Sequence, residues 1–148
     1  MPGTPDTNPP ETIVAFDFGL RRIGVAVGQD ITASANPIAA VRNSDTGPDW
    51  HAITTIINEW RPARLIVGLP LHEDGSPSEM AYHIKRFAGE LERFELPIEQ
   101  VDERCSSLEA NEMLKSERAS GLRGRINKEA IDSAAAALIA ERWLKRPR

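Results

Sequence analysis

Three acidic positions stand where a purely structural role is least expected. Asp17 interrupts the apolar run VAFDFGLRRIGVAVG, residues 14–28, which otherwise reads as buried strand. A lone buried carboxylate is costly unless something pairs with it. Asp102 and Glu103 follow the strand-like segment Ile98 to Val101. Asp132 lies one residue past Ile131, with Ala135, Ala136 and Ile139 at helical spacing, so it borders the inward face of a C-terminal helix. Carboxylates at the ends of two strands and on a helix packed across them can converge on one point. Converging carboxylates repel, and are stable together only with protons or divalent cations between them. An oxygen-only donor set suits Mg²⁺ or Mn²⁺. Two such ions about 4 Å apart would stabilise the attacking and leaving oxygens of a phosphodiester displacement. Each residue also has a plainer reading. An Asp close to Gly at a strand end forms turns. An Asp in a first helical turn complements the macrodipole. An acidic residue after a strand is simply solvated. Spacing alone leaves both sets of readings open.

The elements that must position these groups follow from periodicity. Thr12 to Phe18 and Ile23 to Gly28 read as strands, joined closely enough for a hairpin. Ala35 to Val41 is a weaker third strand, which Pro37 places at an edge or a bulge. A polar loop, Asn43 to Pro48, follows. Trp50, Ile53, Ile56, Ile57 and Trp60 recur at helical spacing over 49–60, and Pro62 stops that helix. Leu65 to Gly68 is a short apolar run of the kind a buried parallel strand uses. Ser76, Pro77 and Glu79 form a capping box before a helix carrying Met80, Ile84, Phe87, Leu91 and Phe94 on one face. Pro97 to Val101 is another strand. Ser106 and Glu109 open a further helix through about Glu117. The last helix spans about Lys128 to Leu144, with Ile131, Ala135, Leu138, Ile139 and Trp143 inward. Antiparallel strands first and βα alternation afterwards predict a mixed α/β sheet covered by helices.

The totals bound the class. The chain has 148 residues, 41% of them apolar and 27% charged, which suits one globular domain. The proline-rich residues 1–11 read as a disordered tail, leaving a single domain over 12–148. No apolar run approaches the roughly 18 residues of a membrane span. One cysteine, Cys105, excludes an intrachain disulfide and fits a cytoplasmic location. A net charge of −4 argues against a general nucleic-acid coat protein. The cations are nonetheless grouped: Arg21 and Arg22; Arg118, Arg123, Arg125 and Lys128; and Arg142, Lys145, Arg146 and Arg148.

VAFDFGLRRIGVAVG, LIVGLP followed by HEDGS, VDERCSSLEA and EAIDSAAAALI, in that order, resemble the YqgF/RuvX family. The resemblance runs from about Thr12 to Leu144. It implies an RNase H-like fold, with three antiparallel strands first, then βα units and helices on both faces. It implies a nuclease that processes pre-16S ribosomal RNA; a Holliday junction resolvase acting on branched DNA is the alternative. Asp17, Glu103 of the DER motif and Asp132 match the family's catalytic, metal-holding carboxylates, with Mg²⁺ or Mn²⁺ as cofactor. The sequence departs from the family in having Cys105 after DER, and in a shorter segment after GLP. Arg21, Arg22, Gly68, Arg123 and Arg125 are placed to contact substrate. The expected partner is structured nucleic acid, RNA favoured over branched DNA, taken up by a monomer or homodimer without a membrane. A non-catalytic nucleic-acid-binding protein is a third reading, disfavoured because phosphate binding alone would replace carboxylates with neutral or basic residues. Gly19, Gly24 and Gly28 have an alternative as a phosphate cradle of the actin and sugar-kinase type, which needs a second domain that 148 residues do not supply.

Overall fold

The computed structural model describes residues 11–69, 80–102 and 128–145. β1 (Thr12–Phe18) and β2 (Arg22–Gln29) form the expected hairpin. β3 (Ser34–Ser44) extends the antiparallel run, and β4 (Gly47–Pro48) pairs with its end. The stretch read as a polar loop is therefore a tight hairpin, closed where Gly47 adopts φ 111°. α1 (Trp50–Trp60) starts on Asp49, whose carboxylate accepts from the Ala52 amide, and ends on left-handed Arg61. β5 (Arg64–Leu69), α2 (Ala81–Leu91) and β6 (Ile98–Asp102) continue the chain to α3 (Lys128–Leu144). Phe94, expected on the α2 face, falls in a short 3₁₀ turn, Glu92–Phe94. α2 begins at Ala81 with Met80 at its cap; the Ser76–Glu79 box and the Ser106–Glu117 helix lie outside the described residues.

The six strands stand in the order β4-β3-β2-β1-β5-β6. β1, β2 and β3 are antiparallel neighbours, whereas β5 runs parallel to β1 and β6 parallel to β5. Pro37 sits opposite a register shift between Val25 and Ala26, so it marks both an edge strand and a bulge.

Alternation along the strands makes two layers. Val14 and Phe16 of β1, Ile23 and Val25 of β2, and Leu65 and Val67 of β5 pack against Ile53 and Ile57 of α1 and Ile84, Phe87 and Leu91 of α2. Each fully buried chain of this size contributes about 1.5–3 kcal/mol. Phe87 is the hub: Phe16 meets it edge-on at 5.5 Å and Trp50 stacks on it at 5.8 Å. On the other face, Ile13, Ala15 and Ile66 pack under Ile139, Ala140, Trp143 and Leu144 of α3.

α3 lies close to β2 because small residues line both surfaces. Gly24, Ala26 and Gly28 face it from the strand, and Ala26 packs on Ala136 and Ala137. A Cβ on Gly24 would lie 1.9 Å from the Asp132 carbonyl oxygen. A Cβ on Gly28 would lie 3.1 Å from side-chain atoms of Ile13 and Leu144. Gly24 and Gly28 make room for a helix, and Gly19 lies against the Arg22 carbonyl in the β1–β2 turn.

Candidate active site

The approach at Gly24 builds the site. Asp17 and Gly24 are directly opposed in the antiparallel ladder, so their side-chain directions share one face of the sheet. That is the α3 face, since Ile13 and Ala15, four and two residues before Asp17, pack under α3. Gly24 carries the first turns of α3 against the same rung. Asp17 on β1 and Asp132 on α3 are thereby brought to one end of one face. Both are half-buried. The opening puzzle of a carboxylate in an apolar strand resolves here: Asp17 is the last α3-facing position of β1, where the core gives way to the sheet's end.

Gly68 completes the floor. Phe16 pairs with Val67 in the parallel β1–β5 ladder, so Asp17 and Gly68 stand at adjoining strand ends. Gly68 lies two residues past Ile66, on the α3 face. Asp17 is thus flanked by glycine on both neighbouring strands.

Arg22 enters the same space. Its Nε donates to Asp132 Oδ2 at 2.7 Å, with the two side chains 29% and 27% exposed. The turn that presents it is pinned by Asn43, whose Nδ2 donates to the Gly19 carbonyl at 2.7 Å and whose backbone N–H donates to the Arg21 carbonyl at 2.9 Å. Arg21 is exposed on that turn. Asn43 has no signal in the linear sequence, because its role depends on β3 folding back beside the β1–β2 turn. Arg42 was equally invisible: it stands directly across the β2–β3 ladder from Arg22.

Glu103, Arg123 and Arg125 lie outside the described residues. Among the described residues, no group of three or more His, Cys, Asp and Glu stands together. Asp17 and Asp132 still form an oxygen-only pair on one face, over a glycine floor, and that chemistry fits a hard divalent cation. β6 bears on the third position. Glu99 and Val101 face α3, Glu99 accepting from the Trp143 indole and Val101 packing beneath the helix, while Ile98 faces the α1–α2 core.

A cleft of about 390 Å³ opens on the other side of the sheet, lined by Phe18, Asn43, Thr46, Trp50, His83 and Arg86 among others. Asp17, Arg22 and Asp132 do not line it. Asp17 and Phe18 are consecutive and so point to opposite faces.

The fold and the paired carboxylates define a class, the RNase H-like domains. A model of the family described as "RuvX: Holliday junction resolvase" matches residues 11–146, and the chain belongs to the RuvX (YqgF) family. Among curated proteins, the "Putative pre-16S rRNA nuclease" of Xanthomonas campestris pv. campestris (strain B100) is 44% identical over 148 residues, covering 99% of this chain and 96% of that protein. The protein of the same name from Hahella chejuensis (strain KCTC 2396) is 44% identical over 135 residues, covering 90% of this chain and 84% of that protein. Among solved structures, T. thermophilus RuvC in complex with Holliday junction substrate superimposes with a TM-score of 0.53 at 18% identity, covering 87% of this chain and 91% of that one. A second structure of Thermus thermophilus RuvC gives 0.52 at 16% identity, covering 90% and 93%. At such identities these two structures bear on the fold, which is RNase H-like.

Proposed function

We propose that this protein is a cytoplasmic, divalent-metal-dependent nuclease that hydrolyses phosphodiester bonds and processes the 5′ end of pre-16S ribosomal RNA. The observation that carries the reading is the Asp17–Gly24 rung beneath α3, which gathers Asp17 and Asp132 at one end of one sheet face. The names of the 44%-identical relatives support ribosomal RNA as the substrate. A RuvC-like fold leaves branched DNA as the second reading, supported by the family description.

Asp17, Asp132 and Glu103 are the residues assigned to hold Mg²⁺ or Mn²⁺. The choice of Glu103 over Asp102 rests on the match of Asp102-Glu103-Arg104 to the family's DER motif. When bound, such ions neutralise charge on a transferring phosphoryl group and orient its oxygens. The chain supplies the rest. Gly24 lets α3 approach closely enough to bring Asp132 beside Asp17, and Gly68 is proposed to let a substrate backbone approach. Arg21, Arg22, Arg123 and Arg125 are proposed to bind flanking phosphates, which sets register and affinity rather than sequence preference. Asn43 holds the turn that carries Arg21 and Arg22.

The test is to incubate the purified protein with pre-16S ribosomal RNA and with a four-way DNA junction, side by side, with Mn²⁺ and with EDTA. The reading expects Mn²⁺-dependent shortening of the RNA and little action on the junction. The reverse pattern establishes the resolvase reading. Binding without cleavage of either probe establishes the non-catalytic one.

A further inference from the structure

Arg22 and Arg42 are opposed across the β2–β3 ladder, and like charges in that position destabilise a sheet. Their neighbours fix which way they point. Ile23 and Val41, the next pair, are both buried in the α1–α2 core. Arg22 and Arg42 therefore face the α3 side, as the contact from Arg22 to Asp132 requires. Only one of the two charges is offset. Asp132 pairs with Arg22, whereas Arg42 is exposed and has no ion pair among the described residues. Arg42 thus keeps a charge that no carboxylate among the described residues pairs, at a place where the strand pairing alone disfavours it.

We infer that Arg22 and Arg42 form a subsite for a backbone phosphate of the polynucleotide, beside the carboxylate site. The inference rests on the nuclease reading above and adds to it a residue, Arg42, and a position. Two guanidinium groups on one face match the several acceptor oxygens of a phosphodiester, which guanidinium binds through two parallel hydrogen bonds. The subsite lies two residues along β2 from the Asp17–Gly24 rung, about 7 Å at the usual rise per residue, a step comparable to one nucleotide of backbone. A phosphate held there leaves its neighbour over Asp17. Asp132 holds Arg22 in place meanwhile, which makes it a positioning partner for this contact as well as a metal-site carboxylate. The plainer account is that Arg42 is only a solvated surface charge beside the β3–β4 hairpin.

Fluorescence anisotropy separates the two accounts. The full-length protein is titrated in EDTA, so that nothing is cleaved, with a labelled RNA hairpin bearing a single-stranded flank and with a labelled four-way DNA junction, across a KCl series. Arg42→Gln is expected to bind about 3- to 10-fold more weakly and to lower the slope of log affinity against log salt by about one. Its melting temperature is expected to hold or rise, because the opposed charges are relieved. Arg42→Lys is expected to restore the slope. A loss with either probe supports the subsite and says which backbone it takes. Unchanged affinity and slope, or weaker binding with an unchanged slope and a lower melting temperature, overturn it. If the wild-type protein binds neither probe, the subsite and the nuclease reading fall together. If the wild type cleaves while Arg42→Gln keeps its affinity and slope, the subsite alone falls.

Discussion

An arginine meets carboxylates at each end of the sheet, and the two ends are finished differently. At the start of β5, Arg64 donates to both oxygens of Glu11, at 2.9 and 3.2 Å, and to Glu99. Its guanidinium also lies 5.3 Å from the centre of the Trp143 ring, and the Trp143 indole donates to Glu99 at 3.0 Å. These contacts tie the residue before β1, the starts of β5 and β6, and the end of α3. They hold the Arg64 pKa above its ordinary value, through the hydrogen bond to Glu11 first and then through Glu99, against the opposing effect of burial. A cation with a raised folded-state pKa contributes fully below its unfolded value and loses that contribution only above it. On the arginine's side, therefore, this latch holds at every pH at which the protein is handled. At the far end, Arg22 has a single carboxylate partner among the described residues and stands opposite Arg42. At one end a single arginine is shared by two carboxylates, and at the other two arginines face each other with one carboxylate between them among the described residues.

The largest predicted effect breaks the Arg22 end mechanically. Gly24→Ala puts a methyl group where the Asp132 carbonyl stands, and backbone cannot yield as a flexible side chain does. Overpacking of this kind costs about 3 kcal/mol. A drop of roughly 10 °C in melting temperature is expected, with loss of any cleavage. Gly89→Ala on α2, which meets nothing within 4 Å, is the control and should gain about 0.5–1 kcal/mol from helix propensity. Equal melting temperatures for the two variants would refute the close approach of α3.

The next effect opens the Arg64 end. Arg64→Ala leaves Glu11 and Glu99 without their shared cation. Charge-assisted hydrogen bonds contribute about 1.5–3 kcal/mol, so urea unfolding should show a loss near 2 kcal/mol. Cleavage by the protein that remains folded should be unchanged. A fall in turnover with stability intact would mean that the latch reaches the chemistry.

The smallest effect lies in the Arg22–Asp132 pair. Crowded carboxylates, read from the sequence alone, predict that Asp132→Asn raises the melting temperature in EDTA. Arg22 changes that sign, because the carboxylate already has a cation at 2.7 Å. A half-exposed pair of this kind contributes about 0.2–1 kcal/mol, so Asp132→Asn should melt slightly lower than wild type in EDTA. It should also gain less from Mg²⁺, since linked stabilisation follows affinity for the folded state. A full Mg²⁺ response in this variant removes Asp132 from the metal site.

What the sequence made legible was local. β1, β2, α1 and α3 follow from period and caps, and the motif spacing singled out Asp17 and Asp132. Gly24 was visible only as a glycine, because its purpose is a contact with a helix more than a hundred residues later. The partner of Arg22 was hidden for the same reason: a cation beside Asp-Phe-Gly reads as free for phosphate until the fold brings Asp132 to it. Arg42 belongs to a register, and register is set by the paired strands together rather than by either alone. The β3–β4 hairpin was missed because Ser44, Asp45 and Thr46 carry no apolar alternation, and the turn depends on Gly47 instead.

The most direct test of the central claim, that the carboxylates on the α3 face perform the chemistry, is cleavage of pre-16S ribosomal RNA in Mn²⁺ by Asp17→Asn. The amide keeps the size of the side chain and removes the charge that would hold a cation. The account predicts that cleavage falls to background while the melting temperature in EDTA stays within a few degrees of wild type. Wild-type cleavage by folded Asp17→Asn protein, purified free of other nucleases, would contradict it.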